Sequence, residues 1–110
     1  MNPPKLSLDP HLHQPARLQI ATVLANVDSA EFARLREITG VSDSVLSKHL
    51  AALAEAGYVR LTKSPVNGRT HTWARFTRAG RKAFASHMEA LQTLVACAEL
   101  AANKGDSAER

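Results

Sequence analysis

The 110-residue sequence predicts a mainly α protein with one small β-hairpin. Three observations lead there. Four segments place apolar residues at helical spacing. Aromatic residues number only three Phe, one Tyr and one Trp, so the core has to be built from Leu, Ala and Val, a composition that favours helices. Between the third and fourth segments, "KSPVNGRTHTW" (Lys63 to Trp73) centres on Asn67-Gly68, a strong short-range hairpin signal. This length supports one domain around one modest core.

Each element has its own signature. Pro15 suits the first position of a helix, and Ile20, Val23, Leu24 and Val27 follow on one face while Leu18, Ala21 and Ala25 form a second apolar line. A second helix is expected from Asp28 as N-cap, with Glu31 completing a capping box and Val27 and Phe32 placed as a hydrophobic staple. Leu35 and Ile38 continue its apolar face until Gly40 stops it. Only Val41 separates Gly40 from the next N-cap, Ser42.

The third helix, 42–56, sets Leu46, Leu50 and Leu53 on one line before Gly57. At about 100° per residue, Ser44, Ser47, Lys48, Ala51 and Glu55 fall on the opposite face, which has low relief. In the hairpin, 59–77, two central turn residues fix Val66 opposite Arg69, Leu61 opposite Ala74 and Val59 opposite Phe76. That register predicts a buried face of Val59, Leu61, Ala74 and Phe76 and a polar face carrying Arg60, Thr62, Trp73 and Arg75. A last helix is expected from Arg78 to about Ala102. Residues 1–14, with three prolines, and the polar 103–110 read as tails around a body at 15–102.

Charge is unevenly distributed. The net charge is +4, and from Ala56 to Met88 there is no acid, although Arg60, Lys63, Arg69, Arg75, Arg78, Arg81 and Lys82 all lie there. Such a balance favours a polyanionic partner. The order helix, helix, short turn, helix, basic hairpin, long helix is that of a winged helix-turn-helix, the third helix reading DNA and the hairpin acting as the wing. A reader helix must present hydrogen-bonding groups without bulky apolar side chains. Ser44 and Ser47 meet that requirement, Lys48 suits a phosphate, and the amides at Ser42 to Ser44 can hold one. Asp43 is a candidate acceptor for a cytosine amine or a stabiliser of its own helix start, and His49 belongs to packing or to the phosphate edge. On the wing, Lys63, Asn67, Arg69, Thr70 and His71 are the candidate contacts.

The segment "FARLREITGVSDSVLSKHLAALAEAGYVRLTKSPVNGRTHTWARFTRAGRKAF" covers nearly half the chain and resembles the winged-helix transcriptional regulators of the MarR and ArsR type, most closely the short MarR-like proteins. The resemblance implies a homodimer on two half-sites, with the third helix in the major groove and the wing on the backbone or in the minor groove. It also implies that Ser44, Ser47 and Lys48 match reader positions and that Lys63, Arg69 and His71 match wing positions. The cysteine motif typical of metal-sensing ArsR relatives is missing from the reader region. Arg36, four residues before Gly40, stands where the strict helix-turn-helix template prefers a small residue.

For the dimer, Phe84, Leu91 and Ala98 are spaced by heptads, with Met88 and Val95 between them, and Leu18 joins from the first helix. The same face also suits packing on the first helix of its own subunit. His11 and His13 lack the further ligands a metal site needs, and Cys97 reads as a small buried residue. No metal or other cofactor is expected. Ser47 and His49 sit about 200° apart on one helix and cannot act together, so no enzyme is expected. The partners foreseen are double-stranded DNA, a second copy and a small-molecule effector at the dimer interface. The absence of a secretory or membrane-spanning run predicts a cytoplasmic protein without membrane attachment, and the lack of an activation segment predicts repression. The competing reading is a winged-helix module that binds an acidic protein instead of DNA.

Overall fold

The computed structural model describes residues 8–108, with side chains through residue 103. Helix α1 spans Pro15–Asn26, strand β1 Ala30–Glu31, helix α2 Phe32–Thr39 and helix α3 Asp43–Glu55. Strands β2 (Val59–Val66) and β3 (Arg69–Phe76) and helix α4 (Arg78–Ala108) complete the chain. The winged-helix order expected from the sequence is present, with one addition: the sheet has three antiparallel strands in the order β1-β3-β2.

The leucine line of α3 forms the centre of the core. Leu46, Leu50 and Leu53 pack with Ile20 and Leu24 of α1, Leu35 of α2, and Val59, Ala74 and Phe76 of the sheet. Burial of each leucine contributes about 2 kcal/mol. Proline stands at the start of α1, and Ser42 caps α3 by accepting from the Val45 amide. Gly40 takes the left-handed conformation (φ 71°) that ends α2, which allows α3 to begin after a very short turn.

The second helix does not begin at Asp28. Ala30 and Glu31 pair with Ala74 and Trp73 of β3, and this ladder holds the backbone extended until Phe32. Glu31 becomes the N-cap and makes no side-chain capping bond. Inter-strand pairing thus overrides the local capping pattern.

The hairpin has the foreseen register, from Val66 opposite Arg69 to Val59 opposite Phe76. Asn67 and Gly68 both take positive φ, 51° and 79°, as a two-residue turn of this type requires. Val59, Ala74 and Phe76 are buried, whereas Leu61 is 38% exposed because the strands have already left the body at that point.

The segment preceding α1 belongs to the body wherever it is described. Leu12 is fully buried, and Leu12 and His13 donate their amides to the Asp9 carbonyl in a tight turn. The Asp9 amide donates to His87 Nδ1 at 2.9 Å, and its carboxylate accepts from the Tyr58 hydroxyl at 2.5 Å. The first half of the expected tail, residues 1–7, lies outside the described residues. At the other end, α4 continues through the polar segment to Ala108 instead of stopping near Ala102.

Candidate nucleic-acid interface

Three elements build the interface, beginning with α3. Because Leu46, Leu50 and Leu53 face inward, Ser44, Ser47, Lys48, Ala51 and Glu55 are exposed on the other side. The result is an open, low-relief face with two hydroxyls and one ammonium. Ser42 Oγ lies 3.3 Å from Ser44 Oγ, so the cap and the first reader hydroxyl touch at the helix start. Asp43 is not a free acceptor: Arg36 Nη1 of α2 donates to its carboxylate at 2.8 Å across the turn. That bond raises the pKa of Arg36 further and fixes a guanidinium beside the start of the reader helix. The pair was not foreseen from either residue separately.

His49 is half-buried and accepts from Arg17 Nε at 3.1 Å through Nδ1, which ties α3 to α1. Burial and then the Arg17 charge lower its pKa and keep it neutral. Packing, rather than a phosphate edge, is what its surroundings provide.

On the wing, Lys63, Asn67, Arg69 and Thr70 are exposed. Cross-strand partners share a face and neighbours alternate, so Lys63 and Thr70 lie on the face of Leu61 and Ala74, while Arg69 lies on the opposite face with Ser64 and His71. The wing therefore carries cations on both sides. His71 is half-buried and pairs through Nδ1 with the Glu31 carboxylate of β1, so it anchors the base of the wing. Arg81 is likewise engaged, donating to the Ala25 and Val27 carbonyls at the end of α1 and stacking over the Phe76 ring. Among the described residues no group of three His, Cys, Asp or Glu side chains could hold a metal ion.

The expected dimer residues divide into two sets. Phe84 packs on the protomer's own core, its ring centroid 6.0 Å from that of Phe76, and Leu18, Met88 and Leu91 are half-buried. Val95 is 55% exposed, and Leu94 and Leu100 accompany it at 40% and 68%. Cys97, expected to be buried, is exposed on the same stretch of α4. A cleft of about 570 Å³ opens between the end of α1, β1, α2 and β3, with Val23, Val27, Ile38 and Trp73 among its walls.

A model of the winged helix DNA-binding domain matches residues 16–95, which span every element of this site. The chain belongs to the winged helix DNA-binding domain family. An uncharacterized protein of Methanocaldococcus jannaschii is 36% identical to this winged-helix protein over 72 residues, or 66% of this chain and 78% of that one. The transcriptional regulator homologue of Pyrococcus horikoshii superposes with a TM-score of 0.71 at 22% identity, covering 77% of this chain and 84% of that one. NadR, solved in complex with 4-hydroxyphenylacetate, gives a TM-score of 0.64 at 19% identity, covering 86% of this chain and 66% of that one. The winged-helix fold expected from the sequence is thereby established, and the family is one of DNA-binding domains. Among the described residues no helix is long and apolar enough to cross a membrane.

Proposed function

We propose that the protein is a cytoplasmic, sequence-specific transcriptional repressor that binds double-stranded DNA as a homodimer. The observation that carries this reading is the juxtaposition of a bare polar face on α3 with a wing whose exposed cations occupy both faces. Ser44 and Ser47 suit base edges, Lys48 suits a phosphate, and the Ser42 end of α3 suits another. Lys63 and Thr70 on one face of the wing and Arg69 on the other, with Asn67 at the turn, suit the two phosphate rows that flank a groove. His71, tied to Glu31, holds the wing's base.

An effector is the second part of the proposal. The cleft beside Trp73 has a volume in the range of small-molecule sites and touches Glu31, the residue that holds the wing. The 4-hydroxyphenylacetate bound by NadR supports a search among small organic molecules.

Selection from a random duplex pool, followed by titration of the selected site at several salt concentrations, tests DNA recognition. Each phosphate contact contributes a log-log slope of about −0.9. Arg69→Ala is expected to weaken binding to all sequences and to flatten that slope by about one contact, whereas Ser47→Ala shifts sequence preference with the slope unchanged. Salt-independent or absent binding by the unaltered protein overturns the reading in favour of an acidic protein partner.

A further inference from the structure

We infer that Arg36 is a DNA-phosphate ligand contributed by α2, and that Asp43 is the residue that positions it. The inference rests on the DNA reading above and adds to it a contact outside the reader helix and the wing. Arg36 and Asp43 face each other across the turn containing Gly40 and Val41, with Nη1 and Oδ1 2.8 Å apart. Both side chains stay open to solvent, at 46% and 66% exposure.

A single hydrogen bond between such exposed partners contributes little to stability, so stability alone does not account for the pair. Asp43 also stands in the first turn of the helix proposed to meet DNA, where a free carboxylate would repel phosphate. Pairing with Arg36 offsets that repulsion. A guanidinium has five N–H donors in a planar fork, and among the described residues Asp43 is the only side chain that Arg36 bonds. Asp43 therefore holds one edge of the fork and leaves other donors for a phosphate beside the reader's entry. Ser42 and Ser44, whose hydroxyls meet at the same corner, line the approach.

The sign of one substitution separates positioning from simple electrostatics. With the selected duplex, Asp43→Asn is expected to weaken binding about threefold to tenfold, although it removes a negative charge beside DNA. In an Arg36→Ala background the same change is expected to be neutral or to tighten binding. Arg36→Ala alone should flatten the log-log salt slope by about 0.9, and Arg36→Lys should restore the slope. Thermal unfolding of each variant checks that the fold is retained, and these exposed positions are expected to leave it unchanged.

Tighter binding by Asp43→Asn in the presence of Arg36, or an unaltered slope for Arg36→Ala, overturns the inference. Arg69→Ala, measured in parallel, separates the two levels of failure. If Arg69→Ala flattens the slope and Arg36→Ala does not, only the α2 contact is lost. If the unaltered protein shows no salt-dependent binding, the DNA reading and this inference fall together.

Discussion

A methyl group at Gly80 would lie 2.1 Å from the Tyr58 carbonyl oxygen and 2.9 Å from a ring carbon of Phe76. Tyr58 O already accepts from the Thr77 amide, while the Thr77 hydroxyl donates to the Gly57 carbonyl and accepts from the Gly80 amide. This corner fixes where α4 leaves the sheet and has no room to relax without moving backbone. Gly80→Ala is therefore expected to lower unfolding stability by about 1–3 kcal/mol, the range of overpacked cores. Urea unfolding measures it, and an unchanged midpoint would show that the corner can shift freely. In the sequence Gly80 is merely a glycine near a helix start, since its close approach involves the backbone of Tyr58, far back along the chain. The reader face is different: Ser44, Ser47 and Lys48 followed from helical angle alone, because the buried leucines opposite them set the rotation of α3. The partners of Asp43 and His71 come from other elements, seven and forty residues away, so no local pattern announces them.

At the scale of elements, the segment before α1 is pinned by a histidine that has to remain neutral. His87 is fully buried, and its Nδ1 accepts from the Asp9 amide, which places the ring proton on Nε2, where it meets no partner among the described residues. Burial lowers its pKa, the neighbouring His13 lowers it further, and Asp9 opposes them in part. In the unfolded chain the group titrates near 6.5. Between that value and the depressed native one, the unfolded state binds more protons, so stability falls as pH drops below about 6.5 and stops falling once the native histidine is also protonated. His49, whose Nδ1 accepts from Arg17, has a lowered pKa and shifts stability in the same direction. Urea midpoints at pH 7.5 and 5 are expected to differ less in His87→Gln than in the unaltered protein; an equal difference would remove His87 from this role. This docking was illegible in the sequence for a physical reason. One leucine, a few backbone bonds and a histidine acceptor have no periodicity, and the two-residue β1 has none either, whereas the four helices and the hairpin follow from repeated spacing and turn chemistry.

At the scale of the whole molecule, the proposed homodimer turns on α4. Its 31 residues span about 46 Å at ~1.5 Å per residue, and the described residues measure 68 Å along their long axis against 25 and 21 Å across. The first turns of α4 are used within the protomer, through Phe84, His87 and Ala90, whereas Leu94, Val95 and Leu100 lie exposed farther along. A second copy packed along that stretch would bury them together with Cys97 and set two bodies side by side. Successive major-groove half-sites lie about 34 Å apart, which is the separation the two readers of such a dimer have to match. Replacing Leu94 and Val95 together by glutamate introduces charges the protomer does not need to bury, so each subunit is expected to keep its fold while the dimer dissociates. Sedimentation equilibrium should then give the monomer mass for the double variant and twice that for the unaltered protein. Binding to a duplex with two half-sites should weaken at least tenfold, with a smaller loss on a single half-site, because only the paired protein gains from linking the two binding events. A variant that remains dimeric and binds both duplexes as before would move the dimer contact elsewhere on the protein.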